Sequence, residues 1–265
     1  MSPPQRQVQF NVSIRTVIVD REKQQAEYGV GGGIVWDSTS GGEYEECQTK
    51  ARVLTEKRPE FSLLETMLWT PDEGYFLLDY HLRRLQDAAV YFGFPLNLDQ
   101  IQKKLADLAD SLPTERHRVR LLVAGDGNLT CQAFPLGESD TSQPARLKLA
   151  PTPVDSDHPY LYHKTTHRRV YEAAQAACPD CDDVVLWNER GEITETCIAN
   201  IVVELAGDLI TPPVSCGLLA GTFRAWLLDQ DEIREEIVTI DTLKQSERIY
   251  LINSVRKWRE AVMEA

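Results

Sequence analysis

Long apolar runs are missing. Nowhere do about 18 consecutive hydrophobic residues occur, which excludes a membrane-spanning helix. The opening MSPPQRQVQF lacks the basic-then-apolar layout of a secretory signal. Basic residues are outnumbered, 28 Lys and Arg against 41 Asp and Glu, for a formal charge of −13. A field of that sign repels nucleic acid and anionic lipid. Cysteine is sparse and irregularly spaced, six in 265 residues, so no disulfide framework is expected. Cys178-Pro-Asp-Cys181 has C-x-x-C spacing, but the second pair of ligands that a zinc site needs is lacking. The 15 Gly and 14 Pro follow no period, which excludes collagen-like and low-complexity chains. These absences leave the expectation of a soluble, cytoplasmic protein that handles a small molecule, with neither nucleic acid nor a membrane as partner.

Hydrophobic residues make up 42% of the chain, enough for a real core. Residues 10–58 open with an alternating run, Phe10 to Val19, that predicts a strand. A glycine cluster at Gly29–Gly33 follows, then an apolar run Ile34-Val35-Trp36 read as a second strand, then a charged helix over Glu43–Leu54. Fifty residues of this kind are too few to bury a core unaided. The pattern restarts at Phe61, with strands over 61–69 and 75–78 around the turn Thr70-Pro-Asp-Glu-Gly74. Leu82, Leu85, Ala89 and Phe92 share one helical face, and Leu98, Ile101, Leu105 and Leu108 share another. A strand over 119–124 and a polar Pro/Ser-containing linker over 137–144 come next. Strand 146–150, helix 165–177 and strands at 183–187, 192–195, 198–205 and 209–211 lead to a helix opening at Gly221-Thr222. A strand near 248–252 and a short tail complete the chain. The domains implied are 1–58, 59–138 and 139–265, in an α/β or mixed α+β fold.

Four constellations carry chemistry. In His163-Lys164-Thr-Thr-His167-Arg168-Arg169 a lysine precedes a helix amid positive charge, a field that frees the neutral amine for nucleophilic attack; a solvated basic helix start is the plainer alternative. Glu192 and Glu195 lie among residues of buried type, where a carboxylate needs a cation. A protonated heterocyclic nitrogen would serve, and so would an arginine. Gly221-Thr222 opens a helix whose free N–H groups suit a phosphate. In His81-Leu-Arg-Arg84-Leu85 one arginine could reach the same anion.

The order and spacing of these pieces resemble the class IV pyridoxal-phosphate aminotransferase family, which includes branched-chain and D-amino-acid aminotransferases and aminodeoxychorismate lyases. Glu195-x-Cys197-x-x-Asn200, Leu209-x-Thr211 and Gly221-x-x-Arg224 carry the likeness, which extends over roughly 61–265. The resemblance implies a two-domain fold type IV enzyme with pyridoxal 5'-phosphate between its domains, acting as a homodimer. It implies Lys164 as the Schiff-base lysine and acid/base, and Glu195 at the pyridine nitrogen. Arg84, Gly221 and Thr222 would cradle the phosphate. Thr66 matches a threonine near the leaving pyruvate of the lyases, and Arg256, in Asn253-Ser-Val-Arg256, is a candidate substrate ligand. Ala220 and Lys257 depart from the family, which often has proline and glycine there.

Residues 10–58 resemble instead the C-terminal end of chorismate-utilising enzymes such as aminodeoxychorismate synthase component I. Ile14-Arg15-Thr16, Gly29–Ser38 and Glu43–Ala51 carry that likeness. It implies Arg15 as a carboxylate ligand and Glu46 as a vestigial magnesium ligand. Together the two resemblances imply the back end of a synthase–lyase fusion, with a separate synthase component as a candidate partner. The activity implied is conversion of 4-amino-4-deoxychorismate to 4-aminobenzoate and pyruvate on the folate route. A branched-chain or D-amino-acid aminotransferase and a non-catalytic fragment are the alternatives.

Overall fold

The computed structural model describes residues 16–55, 59–137 and 143–264. They fall into two units, Met1–Pro59 and Glu60–Ala265. In the first unit β1 (Val17–Asp20) and β2 (Gln25–Tyr28) form an antiparallel hairpin, and α1 spans Ser40–Thr55. The helix appears where its charge pattern predicts it. The expected strand at Ile34–Trp36 does not form, and Trp36 is 100% exposed. Of the strand predicted over 10–19, residues 10–15 lie outside the described residues, as does Arg15.

In the second unit β3 (Leu63–Thr70) and the two-residue β4 (Gly74–Tyr75) precede α2 (Leu78–Phe92) and α3 (Leu98–Asp110). Then come β5 (His117–Val123) and β6 (Leu129–Pro135), giving a four-stranded sheet of order β4-β3-β5-β6. Leu82, Leu85 and Ala89 of α2 and Ile101 and Leu105 of α3 pack with Leu63, Met67, Val119 and Leu121 of the sheet. This is the burial that the helical periodicity dictates. Gly93 ends α2 at φ +70°, a left-handed conformation in which its N–H reaches back toward Val90. The Asn97 side chain caps α3 by accepting from the Gln100 N–H at 3.1 Å.

The rest of the chain builds an eight-stranded sheet. Its strands are β7 (Ala145–Leu149), β8 (Asp183–Trp187), β9 (Ile193–Thr196), β10 (Asn200–Leu205), β11 (Asp208–Thr211), β12 (Arg234–Glu235), β13 (Arg248–Asn253) and β14 (Lys257–Met263). The order is β12-β11-β10-β13-β14-β7-β8-β9, with parallel pairs at β11–β12, β14–β7 and β7–β8. Both faces are covered, which is why β8 reads as a continuous apolar run. Val185 joins the core on one face, while Val184 and Leu186 pack with Tyr171 of α4 (Arg169–Ala177) on the other. Val202 of β10 packs against Phe223 and Leu227 of α5 (Thr222–Asp229), and α6 (Ile240–Gln245) buries Leu243.

Strands β2, β6, β12 and β14 escape the sequence pattern. Strand β6 ends on Pro135 and is half exposed, and β14 is rich in charge. The helix predicted from residue 165 begins at Arg169 instead, because residues 163–168 are held by β3: Leu64 N–H donates to the Lys164 carbonyl and Thr166 N–H to the Ser62 carbonyl, both at 2.9 Å. Lys257 turns the β13–β14 hairpin at φ +56°, a conformation that favours glycine. Its ammonium sits 4.5 Å from the Phe76 ring centroid, a cation–π contact that offsets the strain.

Leu85 is fully buried on α2, the helix that also carries His81 and Arg84. Leu85→Ala is expected to cost about 2–5 kcal/mol in chemical denaturation.

Candidate active site

A cleft of about 400 Å3 opens between the two sheets of the second unit. Thr66, Arg84, Lys164, Glu195, Gly221, Thr222 and Arg256 all line it, although they come from points spread over some 190 residues of sequence. Of the other site candidates, Arg15 lies outside the described residues. Glu46 belongs to the first unit, where it pairs with Lys50 one helical turn on. Among the described residues no group of three or more His, Cys, Asp or Glu is placed to hold a metal.

Lys164 reaches the cleft from the segment that β3 holds by backbone hydrogen bonds. Its amine is pulled down to a pKa of about 8, first by burial and then by the charge of Arg84, with Arg168 adding to it. Along the sequence the positive field comes from Arg168, Arg169 and the neighbouring histidines. Desolvation is the larger cause, and it is invisible in a linear charge pattern.

Glu195, on β9, is 4% exposed. Its Oε1 accepts from the Tyr171 hydroxyl at 2.7 Å and the Leu219 N–H at 3.1 Å. Oε2 meets only a longer contact, Asn200 Nδ2 at 3.3 Å. Burial raises the carboxyl to about 7, against those hydrogen bonds and the positive charge of Lys164 and Arg168. The two candidate carboxylates therefore part company. Glu192 is the structural ion pair, bound to Arg190 and to Asn188 Nδ2. Glu195 remains a buried acid short of a cation.

The cleft lining also carries a cation, Arg84. Arg84 donates to both oxygens of Glu65, at 3.0 and 2.6 Å, and to the Ala220 carbonyl at 3.1 Å. Burial works against ionised Glu65, but Arg84 and His81 outweigh it and hold the carboxyl at about 2. Beside Ala220, Gly221 caps α5 without a side-chain partner, and Gly221 and Thr222 at the helix start both line the cleft. Gly221 has to be glycine: a Cβ would come within 1.9 Å of Asn200 Oδ1. Arg224, part of the sequence signature, points elsewhere and ties the Pro212 carbonyl to Glu235.

Sequence reasoning missed Tyr171, Arg118 and Arg120 as site residues. Arg118 and Arg120 alternate with buried Val119 and Leu121 on β5, so both present the same face, and both line the cleft. Arg120 stands directly opposite Thr66 in the β3–β5 register. Strand alternation was the available signal.

The profile described as amino-transferase class IV matches residues 62–262, and one described as chorismate binding enzyme matches 1–56. A Schizosaccharomyces pombe protein named "Putative aminodeoxychorismate lyase" is 33% identical, over 77% of this chain and 90% of its own. A Thermotoga maritima protein named "Probable branched-chain-amino-acid aminotransferase" is 27% identical, over 76% of each. Among solved structures, one titled as a "Putative amino-acid aminotransferase" from Mesorhizobium loti is 37% identical with a TM-score of 0.72, covering 77% of this chain and all of its own.

A carboxyl raised from 4.5 unfolded to about 7 folded favours its protonated form in the fold. Its stabilising effect is complete below pH 4.5 and is lost as pH rises through 7, a loss of about 3 kcal/mol. Lys164 titrates higher, between about 8 and 10.5, and leaves that window clear. His81, His163, His167 and Asp183 do titrate in or near that window, so denaturation of the cofactor-free protein at several pH values should show the loss as the difference between the wild type and Glu195→Gln.

Proposed function

Because the chain belongs to the amino-transferase class IV family, we propose that it is a pyridoxal-phosphate-dependent lyase that converts 4-amino-4-deoxychorismate to 4-aminobenzoate and pyruvate. The observation that carries the cofactor is a buried amine and a buried acid lining one cleft together with Arg84 and the start of α5. The donor set fits the group. Lys164 offers an amine that is largely unprotonated above pH 8, Glu195 an oxygen short of a hydrogen bond, and Arg84 with the Gly221 and Thr222 N–H groups an anion cradle. When bound, pyridoxal phosphate supplies a carbonyl carbon for amines and a ring that withdraws electrons from the bonds beside them.

The remaining chemistry belongs to the chain. Glu195 Oε2 holds a proton at the pyridine nitrogen, with Tyr171 and Leu219 fixing its other oxygen. Lys164 Nζ takes the proton from the substrate ring carbon that bears the amine. Thr66, across from Arg120, donates a hydrogen bond to the ether oxygen of the leaving enolpyruvyl group. Arg118, Arg120 and Arg256 line the same cleft and supply the guanidinium groups that a substrate with two carboxylates needs. Those groups, and the chorismate-binding match in the same chain, favour the lyase over an aminotransferase. The same reading takes residues 59–138 and 139–265 as the two domains of a cytoplasmic homodimer on the folate route, with 1–58 as a chorismate-enzyme segment.

Supplied with 4-amino-4-deoxychorismate and no keto acid, the purified enzyme should release 4-aminobenzoate and pyruvate in equal amounts. A requirement for a keto-acid acceptor would instead make it an aminotransferase. Lys164→Ala should lower turnover by about 10³-fold or more. Replacing Arg118 and Arg120 by Gln should act mainly on KM, by about tenfold or more.

A further inference from the structure

Glu65, His81 and Thr222 form a chain of contacts that the steps above leave unused. Glu65 on β3 is 1% exposed and His81 on α2 is 0% exposed. Glu65 Oε2 lies 2.6 Å from His81 Nδ1, and on the far side of the imidazole Nε2 lies 3.3 Å from Thr222 Oγ1, on the first residue of α5. An ionised carboxylate only accepts, so Nδ1 carries a hydrogen. With a neutral ring, Nε2 can only accept, and the Thr222 hydroxyl has to donate to it. That hydroxyl then has no proton to offer an anion at the helix start. With a second proton on the ring, Nε2–H donates to Oγ1 and the Thr222 O–H turns outward. The two states differ by one proton and by the direction in which Thr222 donates.

The charges around the imidazole decide between them. Glu65 faces it from β3, Arg84 from its own helix, Lys164 from the segment before α4, and Thr222 from α5. Burial, joined by Arg84 and Lys164, holds the imidazole below its ordinary pKa against the pull of Glu65. With no anion at the cradle, these charges favour the neutral ring. Arg84 meanwhile is bound through two nitrogens to Glu65, so much of its charge is already answered. A doubly charged anion would bring negative charge that Arg84 alone does not balance.

Resting on the cradle reading above, we propose that His81 is a proton-coupled positioning residue. A dianionic phosphoryl group seated at Arg84 and the α5 N-terminus draws one proton from solvent onto His81 Nε2 and turns the Thr222 hydroxyl from His81 to the anion. Only hydrogen bonds are exchanged, and the one added charge lies on the imidazolium, held by Glu65.

Sulfate is the probe, because it stays a dianion across the range in which histidine titrates. Its apparent affinity for the full chain without cofactor would be read from thermal unfolding, with ionic strength matched by chloride, between about pH 6 and about pH 8. Arg84→Gln supplies the background of sulfate acting away from the cradle. Wild-type affinity should fall with pH more steeply than that of His81→Gln or Thr222→Val, by up to about tenfold per pH unit, the slope of one linked proton. Lys164 and Glu195 titrate in all these proteins and cancel in the comparison. Should His81→Gln not fold, Thr222→Val, which keeps the branched shape, decides alone. Equal slopes in wild type and variants would overturn the proposal and leave the cradle standing. A wild type no more responsive to sulfate than Arg84→Gln would overturn both.

Discussion

Burial of an amine and a carboxyl in one cleft is the constraint on which the rest of the second unit turns. Neither group can keep its ordinary charge out of water without a partner, and each gives way toward its neutral form. A fold selected for stability alone would not pay this twice. The surroundings serve to hold the two groups where they are. The backbone pairing of Ser62 and Leu64 with residues 164–166 fixes Lys164 against the four-stranded sheet. Tyr171 on α4, the Leu219 N–H and Asn200 fix Glu195 on the eight-stranded one. Pushing the two values toward each other, to about 8 and about 7, lets each group change charge near neutrality.

Charge is distributed with the same economy. The chain carries −13 overall, yet Arg84, Arg118, Arg120, Arg168 and Arg256 converge on the cleft. An acidic exterior with a basic interior site repels polyanions and still draws in a small anion. Arg168 has a second use: it binds the Cys197 carbonyl and lies 4.4 Å from the Tyr171 ring centroid, tying the start of α4 to the strand that bears Glu195.

Much of this is readable in the chain before it folds. The periodicity of Leu82, Leu85 and Ala89 places α2, and the Gly221-Thr222 start places α5. Lys164 stands out as a charge just before a helix, and Arg84 and Glu195 as charges within elements that bury apolar side chains. Glu65 does not. It sits between Leu64 and Thr66 in a strand, and its partners His81 and Arg84 come from a helix that only tertiary packing brings near. Tyr171 looks like any aromatic on a helix face until its hydroxyl is seen on Glu195. Strands β6 and β14 escape because half of each is wet, so their apolar pattern is faint. In the first unit the opposite failure occurs: Ile34-Val35-Trp36 has strand composition and remains exposed coil.

The central claim is that the amine of Lys164 carries the cofactor. Loading the protein with pyridoxal phosphate, fixing the linkage with borohydride and sequencing the modified peptide by mass spectrometry tests it directly. The account predicts a single pyridoxyl group, on residue 164. A label on another lysine, or none under conditions in which the folded protein retains its cleft, would contradict it.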